Sequence, residues 1–593
     1  MRILLFSLLL GTLALSTPLA HALQSASPTR VTNDAGRNDA SHAPVLDGRR
    51  LRQAMSRLAS QHPDLVSVLN VGESRTGTKI EALRIASGEM RTGRPAMLIV
   101  GNIDGPLVYT SGIVMGHAQS LVSGYGEDET VTELLDGTTL YIIPCANPEA
   151  AEGYFEEPRI ERHATGHGVD NDRDGRTGED DRQDVNGDGF ISMMRVPDPA
   201  GNWLEDPTDE RATIEAAADK GQRGTWKLVP EGRDSDGDGE ASEDPRSDAQ
   251  INHNFAHEWQ EHDQTAGLFP TDEPEARGLC EFVLGHKDIQ LVMVYGSSHN
   301  LGGKLDSVKD GTPARKRVPV SGLRASDAKL LEALGKSYRS ITGNDVENQG
   351  AAQGSFQMWC YGHRGLFCLE IKPWTLPLDS PVAGAGDSDS TDGDAMGQDS
   401  QKSMKKDDPK PSDDAKRLRW IDAQGEDGEW RHLGWTLYEH PELGPVEIGG
   451  FAPFGLTEPP DDLRAEVAKR ELEFLLEASK RLASVEIAAA TARPLGGGLL
   501  QVEARIENQG FLPLLSTWGR TTRSTRPASV VVHIPKGAQL LAGERRQLIS
   551  DLDGAGGHRE LKWLIRGANA AAIGIHVETD HAGEARAVPE VQQ

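Results

Sequence analysis

Apolar residues recur along this chain in two periods. Over Leu46 to Ser60, Leu51, Met55, Leu58 and Ala59 fall at helical spacing and predict an amphipathic helix. "LVSVLNVGES" and "KIEALRIAS" alternate apolar and polar positions, which predicts two strands joined by the turn "SRTGT". The runs "PAMLIVGNID", "TTLYIIPCANPE", "QLVMVYG" and "GLFCLEIKPW" are apolar without alternation and suit central strands buried on both faces. Helical patterns separate them: Gly112 to Ser123 after the first run, "EARGLCEFVLGH" before the third, and Asp461 to Leu482 beyond the fourth. Strands alternating with helices predict an α/β class with a sheet sandwiched by helices.

The pattern changes from about Val485. "GGLLQVEARIENQG", "PASVVVHIPKG", "RELKWLIRG" and "AAIGIHVET" are short strands set apart by turn residues, which predicts an all-β sandwich over 483–593. Two other stretches have no apolar period. Residues 160–250 are acidic and Gly-rich, and residues 379–416 are too polar to bury a core and are expected to be a disordered acidic linker. At the start, Arg2, the apolar run Ile3 to Leu15 and Ala20-His21-Ala22 read as a signal peptide over 1–22, followed by a polar, disordered leader over 23–45. Export, to a secreted or periplasmic location, is the expectation. No later run is long enough to span a membrane.

A formal charge of -29 argues against a nucleic-acid binder, which needs a basic face to neutralise phosphates. Cys145, Cys280, Cys360 and Cys368 lie in no CxxC pair, so a cysteine zinc site is not expected. Disulfides and buried free thiols both remain open for them.

Seven stretches in order carry a family resemblance: "HPDLVSVLNVGESRTGTKIEALRI", "LIVGNIDG", "YIIPCANPEA", "INHNF", "EPEARGL", "GSFQMWCYGHRGLFCLE" and "HPELGPVEIGG". Over Leu46 to Leu482 the chain resembles the zinc carboxypeptidases, the carboxypeptidase A-like metallopeptidases, and in particular a secreted bacterial branch with Asp-rich inserts. The resemblance implies a carboxypeptidase-like mixed sheet over 46–482. It also implies a catalytic Zn²⁺ on three protein ligands with one position open for water. In the family, two ligands come from an H-x-x-E turn and a third, a His, from the end of a later strand. A separate Glu is general base, and an Arg in an N-R-N-F-like motif helps hold substrate.

Carried over position by position, the resemblance is uneven. Asp104 and Leu107 stand where the His and Glu of the turn belong, and Gly296 stands where the later His belongs. His299, three residues on, reaches the site only if its loop bends inward. Asn252 matches the substrate motif, but His253 replaces the Arg. Glu370 matches the general base. A leucine cannot ligate, so the zinc site reads as dismantled. Each surviving residue also has a plain structural reading: Glu370 as a buried carboxylate, His299 as a polar loop residue, Asp104 as a cap for the following helix.

The acidic insert carries a second kind of chemistry. Asp170, Asp172 and Asp174 alternate before Gly175, with Asp181 at the twelfth position. Asp184, Asn186 and Asp188 repeat the pattern before Gly189, and Asp234, Asp236 and Asp238 repeat it before Gly239. Alternating hard oxygens followed by a glycine turn suit Ca²⁺. The second and third loops have Arg195 and Pro245 at the twelfth position and need neighbouring carboxylates, such as Asp244, to complete a shell. A solvated acidic insert is the alternative. Three functions follow as expectations: an exported, zinc-less module binding a peptide or peptidoglycan-type ligand, an active metallocarboxypeptidase with an unusual ligand set, or a calcium-dependent structural or adhesion protein.

Overall fold

A computed structural model of the chain describes residues 44–88, 93–166, 181–234, 241–242, 249–311, 322–378 and 410–592. The signal peptide, nearly all of the leader, and Asp170, Asp172, Asp174, Asp236, Asp238, Asp244 and Pro245 lie outside the described residues.

Within the unit spanning Asp39–Gln593, the first half of the chain gives strands β1 (Val66–Glu73), β2 (Lys79–Ile85), β3 (Ala96–Val100), β4 (Thr139–Ile143), β5 (Met193–Pro197), β6 (Trp203–Asp206), β7 (Asp209–Glu215), β8 (Trp226–Pro230) and β9 (Ile289–Tyr295). After the short pair β10 (Ser307–Val308) and β11 (Leu323–Arg324) come β12 (Phe367–Ile371), β13 (His432–His440) and β14 (Gly444–Phe451). The helices are α1 (Gly48–Gln61), α2 (Tyr109–Gly124), α3 (Glu129–Gly137), α4 (Pro148–Glu152), α5 (Pro274–Gly285), α6 (Ala325–Thr342), α7 (Phe356–Arg364), α8 (Asp413–Ala423), α9 (Asp461–Ser479) and α10 (Thr517–Thr522).

The main sheet has the order β1-β2-β4-β3-β9-β12. β1, β2 and β4 pair antiparallel, while β4, β3, β9 and β12 run parallel. The parallel strands are buried on both faces, which explains their unbroken apolar runs. Their side chains divide by alternation. Met97, Ile99, Leu291, Met293, Leu369 and Ile371 enter one core layer, with α1, α2, α3, α6 and α9 residues. Leu98, Val100, Val292, Val294 and Cys368 enter the opposite layer, with α5 and α7 residues. The mixed sheet sandwiched by helices is therefore as the sequence leads one to expect.

The acidic insert departs from that reading of it. Four of its segments are strands, and they join β13 and β14 in a second sheet, β13-β14-β5-β8-β6-β7. Arg195, the non-acidic twelfth position of the second Asp loop, lies in this sheet on β5 and is 2% exposed. Its guanidinium stacks 4.0 Å above the Trp435 ring and pairs with Glu447 at 3.5 Å, so it is a structural cation. The expected linker also ends early. Ser412 caps α8 by accepting from the Ala415 N–H at 3.1 Å, and its own N–H donates to Asp206 at 2.9 Å. Val45, at the end of the expected leader, packs against Leu107, Tyr109 and Ile113.

The C-terminal strands are β15 (Val485–Gly496), β16 (Leu499–Asn508), β17 (Ala528–His533), β18 (Gln539–Ala542), β19 (Arg546–Ile549), β20 (Gly557–Arg566), β21 (Gly574–Glu578), β22 (Glu584–Ala587) and β23 (Glu590–Val591). They form the sheets β18-β20-β16-β15-β23 and β19-β17-β21-β22 around Val502, Ile506, Val530, Trp563 and Ile575. This β-rich region is held against the α/β region by buried polar bonds. The Asp327 carboxylate accepts from the Tyr361 hydroxyl at 2.7 Å and from the Thr517 and Trp518 N–H groups at 2.9 and 3.2 Å. Gln290 bridges to Ala483 and His581. The four cysteines, all within the described residues, are free thiols. No helix among the described residues is long and apolar enough to cross a membrane.

Candidate functional site

In open α/β sheets, ligands bind beyond the carboxyl ends of the parallel strands. Among those ends are the loops after β3, β9 and β12, and the first two hold Asp104, Leu107, Gly296 and His299. The β3 loop is pinned by Asn102, whose left-handed backbone (φ 46) lets its side-chain amide donate to the Asp104 and Gly105 carbonyls at 3.3 and 3.2 Å. Gly105 is required there: a Cβ would lie 2.3 Å from the Arg162 carbonyl oxygen.

Asp104 does not cap the helix that follows. The α2 N-cap is Val108, and it has no side-chain cap bond. The Asp104 carboxylate instead crosses to the end of β9. Its Oδ2 accepts from the Ser297 N–H at 2.6 Å, and its Oδ1 accepts from the Asn252 amide at 3.1 Å. A Cβ on Gly296 would fall 2.6 Å from that same Oδ2. Asn252 is buried and accepts from the Phe356 N–H at 3.0 Å with its amide oxygen, so it ties the Asp104 turn to the start of α7.

Leu107 is 6% exposed and packs with Tyr109, Ile113 and Trp374. His253 pairs through Nδ1 with the Thr265 hydroxyl at 2.6 Å. His299 is buried and sits in a two-way backbone bridge with Gln349. Its Nδ1 accepts from the Lys372 N–H at 3.2 Å, and its Nε2 is buried with no partner. Burial pushes its pKa down to about 4, aided by the positive charges of Arg339 and Lys372.

Glu370, on β12, is buried with Ser298 bonded to its carboxyl, and Ser298 accepts in turn from the Gln357 amide at 2.7 Å. Burial pushes its pKa up to about 7. The negative charge of Asp104 adds to that rise and the Ser298 bond opposes it.

Asp104, Leu107, Asn252 and His253 line a cavity of about 330 Å³ with Ser297, Lys372, Trp374 and Arg417. His299 and Glu370 are not part of that lining. The sequence reading missed Lys372 and Arg417. Lys372 follows Glu370 by two positions, and its ammonium donates to the Gln349 side chain at 3.3 Å. Its pKa is lowered by burial and by the neighbouring charge of Arg417, against the pull of Asp104. A second cavity of about 460 Å³, with Glu149, Arg162 and Arg182 in its wall, shares His163 and Gln250 with the first.

Zinc does not fit the side chains at the three positions where the family resemblance puts its ligands. One is a leucine, one has no side chain, and the Asp104 oxygens are already taken up by Ser297 and Asn252. Among the described residues no group of three His, Cys, Asp or Glu is placed to hold a metal ion.

The second Asp loop folds on its own backbone. Asp184 accepts from the Gly187 and Gly189 N–H groups at 2.7 and 2.9 Å, and Asp188 accepts from Phe190 N–H at 2.9 Å. Behind it, buried Glu231 accepts from the Val185 and Ser192 N–H groups, each at 2.9 Å. Burial raises the pKa of both Asp188 and Glu231, and a neighbouring carboxylate adds to each rise. Of the other loops, Asp181 borders the second cavity and Asp234 is described, but neither loop is described whole.

The comparisons bear on the family. Residues 484–588 match a domain of unknown function. Carboxypeptidase A1 of Rattus norvegicus is 28% identical over 113 residues, 19% of this chain and 26% of that protein. Carboxypeptidase A1 of Sus scrofa is 30% identical over 108 residues, 18% of this chain and 25% of that protein. The match thus spans about a quarter of those relatives' length. The crystal structure of thrombin activatable fibrinolysis inhibitor covers 77% of this chain and 79% of its own at 13% identity, with a TM-score of 0.42. A metallo-carboxypeptidase from Burkholderia cenocepacia covers 55% of this chain and 60% of its own at 12% identity, with a TM-score of 0.28. Residues 51–377, more than half of the chain, match the zinc carboxypeptidase family, and the chain belongs to that family.

Proposed function

We propose that this chain is an exported member of the family whose zinc site is dismantled and whose cleft binds a peptide or peptidoglycan-type ligand. The observation that carries the reading is the Asp104 carboxylate, bonded to Ser297 and Asn252 and lying where a side chain on Gly296 would have to start. The cleft suits a peptide end. Lys372 and Arg417 offer cations for a carboxylate, and Trp374 and Leu107 offer an apolar wall. The test is calorimetric titration with an N-acetylated dipeptide and with its C-terminal amide. The free acid binds more tightly in the wild type, and Lys372→Gln with Arg417→Gln removes the difference. Equal binding of acid and amide by the wild type refutes the role given to the cations.

A second reading, an active metallocarboxypeptidase with a non-standard ligand set, has Glu370 in its favour, since a carboxyl with a pKa near 7 suits a general base. Release of C-terminal residues, abolished by chelation and by Glu370→Gln, would establish it against the first. A calcium-dependent structural or adhesion role is the third reading, supported by the Asp184 to Asp188 loop with Glu231 behind it. Export rests on the apolar N-terminal segment after Arg2. Whether the mature protein lacks that segment is read by N-terminal sequencing from the culture fluid or periplasm.

A further inference from the structure

The chain carries 91 acidic and 62 basic residues, yet one large concavity has the opposite balance. A pocket of about 670 Å³ lies where the β-rich region meets the α/β region. Lys287 and Arg364 come from one side, Arg520, Arg523 and Arg526 come from the other, and Asp580 is the one acid in the wall. Two of the arginines have weak counter-charges: Arg526 lies 3.5 Å from Asp580, and Arg520 lies 3.5 Å from Asp553. Lys287, Arg364 and Arg523 have no ion pair among the described residues. The Nε of Arg364 is buried and has no hydrogen-bond partner.

Cations gathered in a concave wall repel one another and focus a positive potential. Four of the five cations in the wall are arginines, whose planar fork presents paired donors to oxyanions. Ser524 and Ser550 add hydroxyls. The opening is much larger than one small ion, so a ligand with several linked charges fits it better than a single anion.

We propose that this pocket is a binding site for a multiply charged phosphate-type oxyanion of the oligophosphate class. The site joins the two regions of the fold. It is separate from the cleft at Asp104 and does not depend on the function proposed for that cleft.

The test is calorimetric titration of the full chain with tripolyphosphate, orthophosphate and an oligoglutamate of matched charge. Tripolyphosphate binds at physiological ionic strength, more tightly than the other two, and weakens as salt is added. Lys287 and Arg523 are exposed, so Lys287→Gln with Arg523→Gln leaves the fold intact, as an unchanged melting temperature shows. That double variant binds tripolyphosphate roughly tenfold or more weakly, whereas Arg545→Gln, outside the pocket, binds like wild type. The proposal is overturned if the wild type does not bind tripolyphosphate, if oligoglutamate binds more tightly, or if the double variant binds as the wild type does.

Discussion

The Oδ2 of Asp104 lies 2.6 Å from the point where a Cβ on Gly296 would sit. The two positions are therefore coupled: the carboxylate fits because residue 296 has no side chain. Gly296→His alone should force the Asp104 turn aside and destabilise the protein by about 1–3 kcal/mol, the usual cost of overpacking. With Asp104→His and Leu107→Glu added, a three-donor set becomes available. Wild-type protein prepared without chelator should hold less than one zinc per chain, and the triple variant should hold more. Elemental analysis reads both. Stoichiometric zinc in the wild type, lost in His299→Ala, would establish the non-standard ligand set instead.

Asn252 holds the cleft through both ends of its amide, to Asp104 and to the Phe356 N–H. Asn252→Ala leaves a buried backbone donor and one carboxylate oxygen without partners. Each such loss costs about 1–3 kcal/mol, so the denaturant midpoint should drop clearly. Asn252→Asp should be worse at neutral pH, because it sets a second carboxylate against Asp104, and should recover in part on acidification. Denaturant unfolding at two pH values measures both effects.

Two buried groups near the cleft should tilt stability with pH in opposite directions. The folded pKa of Glu370 is raised to about 7 from an ordinary value of 4.5, so the folded state binds more protons between those values. Its contribution is full below about pH 4.5 and is lost as pH rises through 7. Glu370→Gln should remove that downward tilt, which cannot exceed about 1.4 kcal/mol per pH unit for one proton. The folded pKa of His299 is lowered to about 4 from 6.5, so its contribution is full above 6.5 and is lost as pH falls through 4. His299→Gln should flatten the acid limb instead. Unfolding free energies from pH 4 to 8, variant minus wild type, separate the two.

The parallel strands were legible because burial on both faces leaves few polar positions, as in Leu98 to Val100 and Val292 to Val294. The family was legible from motif order, but the bonding of the residues singled out by it was not. Asn252 is 148 residues from Asp104, and the donor on Ser297 is a backbone N–H, which no side chain announces. Lys372 was passed over although a period of two places it on the same side of the strand line as Glu370. The second sheet was missed because β5 to β8 are short and mixed in polarity, and the partner strand of β5, β14, lies more than two hundred residues on. Arg417 was missed for a related reason. Asp413 and Asp414 look like linker charge, but after Ser412 they form the first turn of α8, where acids are favoured.

Calcium should act on the Asp184 loop with opposite signs in its presence and absence. In the ion-free protein, Asp188 has its pKa raised by burial and by the charge of Asp184, so the loop carries more negative charge than its surroundings relieve. Asp188→Asn removes that repulsion and should stabilise the chelated protein. The same change removes a hard oxygen and should weaken the response to calcium. Ca²⁺ that binds only the folded form should stabilise the wild type by ~2.7 kcal/mol at about a hundred times its dissociation constant. Melting curves of wild type and variant, each with calcium and with chelator, give the four values needed. The expected order has the wild type above the variant with calcium and below it with chelator. Identical wild-type melting in the two conditions would remove calcium from the account and leave the loop as an acidic turn closed by Asp184 on its own backbone.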